Sequence, residues 1–343
     1  MTELTEAQIL AIPVDMPERL FTGVRPAAKA QWQRLRSKWH PDTNSVNPAV
    51  MAHINALYDR AMDAIDGGTW RGMGQLMFAD VRGHNFAFGY LKSEEFELGR
   101  AYIGKSVLAY YIRDEYADLV RVAQDHMERH FTFADGHLKA EHSRHLPRLQ
   151  RLIQVKTGYY LVIEKNPAYL RLSDVLTHLG GKIEERHVAW ILSCLYNLNC
   201  YLKLAGLVHC DISPRNVFIH PADHDAALFG GWWYARREGE RLIALPPRTV
   251  QYGTPLLPDK KAIDRMNSEL IKATGRELLG DTIGSRLLSM KYPKPLVHWL
   301  RSTAYLPAFE EYADWSRVLK ESYGPRKFVE LKLTAEDIYV AKT

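Results

Sequence analysis

The chain has 343 residues, of which 46% are hydrophobic and 25% charged, and its 45 basic and 40 acidic side chains leave a net charge of +5. That length and mixture suit two or three globular domains and exclude large-scale disorder. No basic run alternates with aromatics, which argues against a nucleic-acid partner, and no stretch approaches the ~18 apolar residues of a membrane span. The start, "MTELTEAQIL", lacks the basic residues and apolar core of a signal peptide. Cys194, Cys200 and Cys210 have no metal-ligand spacing. The expectation is a cytoplasmic protein with free buried thiols, no metal centre and no membrane contact.

The first elements are helical. Residues 27–39 place Ala30, Leu35 and Trp39 near one face, with Lys29, Arg34, Arg36 and Lys38 largely elsewhere. Pro41 cannot continue that helix. Residues 51–65 form a second helix with Ile54, Leu57, Tyr58, Ala61 and Ile65 as its apolar stripe, and Gly67 and Gly68 end it. The basic helix, the tripeptide His40-Pro41-Asp42, and the helix carrying "INALYDRAM" together resemble a J-domain. The resemblance implies that His40, Pro41, Asp42, Arg36 and Lys38 touch a DnaK-type chaperone and stimulate its ATPase. A basic helix face suits an acidic partner surface. The departures are a poorly formed first helix and no glycine-rich region afterwards, so a J-like fold used purely for docking is the alternative. The module is placed at residues 1–68, with a glycine-rich linker at 69–85.

From Phe86 the pattern shortens. "NFAFGYL", "FELGRAYI", "SVLAYYI" and "LVRVA" read as strands. "DGHLKAEHSRHL" reads as helix, and "LQRLIQV" and "YYLVIEK" as strands flanking Thr157-Gly158. Helices dominate after Asn166-Pro167, giving an α+β protein. "GRAYIGKS" fits a P-loop pattern, but "RAYI" is too bulky for a phosphate cradle and a helix does not follow. It reads instead as a hairpin with Gly104 at the turn. His126 and His130, four apart, read as a solvated helix face. "GGWWYA" reads as core packing, with a docking surface as the alternative.

The order of these pieces resembles the two-lobed protein-kinase fold, with a small lobe at 86–164 and a large lobe at 165–343. "LVHCDISPRNVFI" is similar to the catalytic loop. By that resemblance Asp211 is the base that accepts a hydroxyl proton, Asn216 a magnesium ligand and Arg215 the loop's cation. Glu164 marks the adenine-contacting hinge, Lys105 lies near a nucleotide, and Asp264 is the buried acid of a later helix. "QYGTPLLP" resembles the end of an activation segment. ATP and magnesium would be the cofactors.

The departures decide the reading. Where a magnesium-binding Asp-Phe-Gly belongs, the chain has Leu228, Phe229, Gly230 and Gly231. The nearest acids, Asp223 and Asp225, are three to five residues away, roughly 10–16 Å along a strand, whereas a magnesium ligand stands at ~2.1 Å. The slot for the phosphate-pairing lysine falls near Ala123 or Gln124, and neither Glu128 nor Glu141 fits as its partner. The chain therefore resembles a pseudokinase. The expected function is binding and scaffolding, recruiting or regulating a chaperone or host signalling protein, with no cofactor required. The alternatives are an active atypical kinase using Asp211, Arg215 and Asn216 with ATP and magnesium, and a structural component of a larger assembly.

Overall fold

The computed structural model describes residues 5–12, 14, 17–40, 47–68, 70, 74–252, 259–325, 327 and 329–339. It has two compact units. One comprises Met1–Arg113, Ile153–Tyr160 and Ala335–Thr343, and the other Asp114–Leu152 and Leu161–Thr334.

The first unit opens with α1 (Glu6–Leu10), whose N-terminus is closed by a capping box between Thr5 and Gln8. Helix α2 (Arg25–Trp39) and helix α3 (Pro48–Asp66) follow. Both begin earlier than their apolar stripes, because Pro26 and Pro48 occupy first-turn positions where a missing N–H costs nothing. Asn47 Oδ1 caps α3 by accepting from Ala49 N at 3.0 Å, and Gly67 ends it. The three helices share a core of Ile9, Phe21, Ala28, Trp39, Val50, Ile54, Leu57 and Ala61. Trp32 stacks on Tyr58 at 5.0 Å and donates to Asn55 Oδ1 at 2.9 Å.

Strand β1 (Gly74–Ala79) pairs antiparallel with β2 (Asn85–Tyr90). The stretch 69–85, expected as linker, thus holds a strand. Its glycines hid a short alternation in which Phe78 stacks on Phe86 at 5.5 Å and on Tyr160 at 4.0 Å. Strands β3 (Lys92–Phe96), β4 (Gly99–Ile103) and β5 (Val107–Arg113) form a meander. Gly104 N donates to Val107 O at 2.8 Å in the β4–β5 turn. A strand follows "GKS", as the hairpin reading of that stretch requires and a P-loop does not. With β6 (Arg148–Val155) and β7 (Gly158–Glu164) the sheet order is β3-β4-β5-β7-β6.

In the second unit "DLVRVAQ", expected as a strand, lies in helix α4 (Ala117–Asp125), which runs into one π-helical turn at His126–His130. Its buried residues Leu119, Val120 and Ala123 follow helical spacing; the β-branched valines obscured that signal. Helix α5 (Gly136–His142) is capped by Asp135. Beyond β7 come β8 (Leu170–Arg171), α6 (Leu172–His178), α7 (Glu185–Leu204) and β9 (Leu207–Val208). The hairpin β10 (Val217–His220) and β11 (Asp225–Leu228) follows, then β12 (Arg236–Arg237), which pairs with β9. Helices α8 (Pro247–Tyr252), α9 (Asp264–Leu278), α10 (Lys294–Arg301) and α11 (Ala308–Tyr323) complete this unit, and α12 (Ala335–Tyr339) returns to the first.

Between α7, α9, α10 and α11, Tyr196, Trp299 and Trp315 pack ring to ring. The Lys272–Glu311 pair is sealed beside them at 2.5 Å, and Lys272 Nζ also donates to Ser302 Oγ at 3.1 Å. The protein is α+β with antiparallel sheets and an N-terminal helical segment. Among the described residues no helix is long and apolar enough to cross a membrane.

Leu57 is fully buried in the helical core. Leu57→Ala should cost about 2–5 kcal/mol through lost transfer and the cavity left behind. Urea unfolding followed by far-UV dichroism checks this; a midpoint unchanged from wild type would show that the helices do not depend on this core.

Candidate functional site

The loop between β9 and β10 carries a dense set of buried polar contacts, and its position is set by the helices beneath it. Asn267, fully buried on α9, accepts from His209 N at 3.0 Å and Cys210 N at 3.4 Å through one oxygen. Its amide nitrogen donates to Asn199 Oδ1 on α7 at 3.0 Å, and Asn199 Nδ2 donates to Ser268 Oγ at 3.2 Å. This fixes the turn at Cys210, whose φ of 67° is unusual for a residue with a side chain. The expected buried acid of this helix is Asp264, yet the residue that anchors the loop is Asn267. Asp264 is buried, but it holds Lys203 Nζ at 3.2 Å and Ala308 N at 3.4 Å instead of the loop. The spacing of polar residues along an apolar helix face was the only signal that could have found Asn267.

Asp211 and Asn216 come together. Asn216 Nδ2 donates to Asp211 Oδ2 at 2.7 Å and to the Asp211 carbonyl at 2.8 Å, and both residues are buried. Arg215 is exposed on the same loop. The Asn216 carbonyl accepts from Phe229 N at 3.1 Å and Gly230 N at 3.2 Å. His209 donates from Nε2 to the Gly230 carbonyl at 2.9 Å, and burial pushes its pKa down to about 3. Gly231 has φ of 82°, and a Cβ there would meet His209 Cε1 at 2.6 Å and Asn216 Nδ2 at 2.7 Å, so only glycine fits. Trp232 and Trp233 are buried, and Trp232 lies edge-on to His209 at 4.8 Å and to Phe131 at 4.6 Å. The tryptophan pair is core packing and leaves no surface for docking.

At the loop end of the hairpin, Leu228 is fully buried opposite Val217. Asp225 sits at the other end, opposite His220. Its oxygens are committed: Tyr169 Oη donates to it at 2.7 Å, His145 Nδ1 lies at 2.9 Å and Arg144 Nε at 3.3 Å. Burial alone would raise the Asp225 carboxyl, but the His145 and Tyr169 hydrogen bonds hold it below its ordinary value. It is a structural clamp. Among the described residues no group of three or more His, Cys, Asp or Glu is arranged to hold a metal.

The remaining expected residues are dispersed. Glu164 is exposed at the end of β7 and pairs with Arg148 at 3.0 Å. Lys105 is exposed on the β4–β5 turn, in the other unit. The slot at Ala123 and Gln124 lies on α4. Glu128 accepts from Gln124 Nε2 at 3.0 Å, and Glu141 stands 3.9 Å from His137. His126 is buried where a solvated face was expected, donating from Nε2 to the Ala235 carbonyl at 3.1 Å; burial pushes its pKa down to about 4. Lys165 is buried just after β7, with Nζ 3.0 Å from the Tyr169 carbonyl, and burial pulls its pKa down to about 8. Thr249 on α8, fully buried, donates its hydroxyl to the Cys210 carbonyl; residues 253–258 of "QYGTPLLP" lie outside the described residues. On α2, Arg36 lies over the Trp32 ring at 5.4 Å and Lys38 over Trp39 at 5.3 Å, both exposed, with His40 half-buried just beyond. Pro41 and Asp42 lie outside the described residues.

Neither the scan of protein-family models nor the search of curated proteins finds a match to this chain.

Two of the buried histidines set an acid limit. His209 and His126 have folded pKa values of about 3 and about 4, against ~6.5 unfolded. The unfolded chain therefore binds more protons below pH 6.5, and stability is full above that value and falls as pH drops toward 4. Together they should remove on the order of 3 kcal/mol between pH 7 and 5.5. Urea midpoints across that range check this; a flat profile would contradict the neutral burial of both rings.

Proposed function

We propose that the protein is a binding and scaffolding protein, a pseudokinase-type body joined to a J-like docking module that recruits or regulates a chaperone or host signalling protein. The observation that carries this reading is Leu228. In protein kinases a carboxylate at this place holds magnesium against the nucleotide phosphates. Here the position is a buried leucine, and the only acid on the strand, Asp225, stands at its far end with its oxygens already bonded. The residues present do not fit a magnesium–nucleotide complex.

Two further features support the reading. In kinases the phosphate-pairing lysine lies on the third strand of the small lobe and its glutamate on the following helix. The third strand of the five-stranded sheet is β5, followed in the chain by α4, and β5 reads "VLAYYIR" with no lysine. Losing one electrostatic contact of this type costs roughly 10²–10³ in rate, and two such losses leave little turnover. For the helical module, α2 carries Arg34, Arg36 and Lys38 exposed and contains no acidic residue, which suits an acidic partner surface.

Radiolabelled ATP with magnesium or manganese should give no label on the protein or on added acceptors. Label incorporated by wild type and lost in Asp211→Ala would overturn the proposal in favour of an atypical kinase. The choice of partner has its own test. The ATPase of a DnaK-type chaperone should rise on addition of the protein, and His40→Gln should abolish the rise. Equal rates with and without wild type would remove that chaperone as the partner.

A further inference from the structure

The segment after α9 folds around one buried carboxylate. Asp281 is 3% exposed, and its Oδ2 accepts from Arg286 N at 2.6 Å and Leu287 N at 3.0 Å. Its carbonyl accepts from Gly284 N at 3.0 Å, and Arg286 Nη2 donates to the Gly280 carbonyl at 2.8 Å. Leu287, fully buried, fastens the far side of the loop. A loop held at this many points keeps one shape, and that shape presents two aliphatic side chains to water. Ile283, at 79%, is the most exposed large apolar side chain among the described residues, and Leu288 is 57% exposed. Packing within the chain accounts for neither.

The surroundings carry one sign of charge. Residues 278–309 contain a single acid, the buried Asp281. Arg286, Lys291, Lys294 and Arg301 are all exposed in the same segment. Arg301, at the end of α10, comes close to the tip of the loop: a Cβ on Gly284 would meet its Cγ at 3.4 Å. The Arg286 guanidinium is met by Asp281 only at 3.9 Å. Exposed charges of one sign steer an oppositely charged partner and set its register. A knob already held in its bound shape has little ordering entropy left to lose.

We propose that the loop at residues 280–288 docks an acidic segment of another protein, whose apolar side chains pack around Ile283 and Leu288 while its carboxylates meet the basic rim. A lipid surface suits the loop less well. One whole acyl chain anchors a protein only marginally, two aliphatic side chains bury less, and the nearby Tyr292 ring is covered by Lys182 Nζ at 5.2 Å. The surface uses no residue of the β9–β10 loop or of the helical module, so it stands independently of the function proposed above.

The probe is a displayed library of random peptides about twelve residues long, selected on the full chain. The peptides recovered should combine Asp or Glu with large apolar residues. Labelled copies, followed by fluorescence anisotropy, should bind Ile283→Asp and Arg301→Glu at least about tenfold more weakly than wild type. Binding to wild type should also weaken as salt rises from about 0.05 to about 0.5 M. Both replaced side chains are exposed, so each variant should keep the wild-type melting temperature. A selection without acidic and apolar enrichment, or peptides that bind I283D as tightly as wild type, overturns the proposal. Vesicles containing phosphatidylserine and sedimentation of the free protein test the other occupants. Vesicle binding or a dimer that is present in wild type and lost in I283D overturns the proposal, by giving the loop to lipid or to a second copy of the chain.

Discussion

One amide oxygen carries the central loop of the second unit. Asn267 Oδ1 takes two consecutive backbone N–H groups, those of His209 and Cys210, in a place closed to water. Without it both donors would be buried and unpaired, at roughly 1–3 kcal/mol each. The amide is oriented by Asn199, and Asn199 by Ser268, so two helices agree on where the loop sits. The left-handed turn at Cys210, the Asp211–Asn216 pair and the Gly230 carbonyl under His209 all follow from that anchor. The amide is also neutral, so it secures the loop at every pH at which the fold survives.

The loop it holds is closed on itself. Asn216 faces inward to Asp211, its carbonyl takes the N–H groups of Phe229 and Gly230, and Thr249 covers the Cys210 carbonyl from α8. Networks of this sort rigidify a core when every member is satisfied.

The large helices were legible because their apolar residues recur at helical spacing over many turns; α7 and α9 could hardly be anything else. Asp211 and Asn216 were legible as a pair because five residues of tight loop leave few ways to separate them. Helix α4 was misread because Val120 and Val122 imitate a strand, and only the i, i+1, i+4 burial of Leu119, Val120 and Ala123 betrays the helix. Strand β1 was hidden by the glycines at and around its start, and its evidence is Tyr160, far along the chain. The solvated face expected at His126 turns on what folds against it, and neighbours in space leave no mark on a local pattern. For the same reason Asn267 looked like any polar residue in a helix.

The burial of Leu228 has an evolutionary consequence. It fills its pocket completely, opposite Val217 and next to Phe229. An aspartate arriving there by a single substitution would enter an apolar site with no counter-charge, at several kcal/mol, a large part of a typical domain's stability. Purifying selection for folding would discard it before any catalytic benefit accrued. The leucine therefore acts as a ratchet: the fold itself closes the single-step route back to a carboxylate at this position.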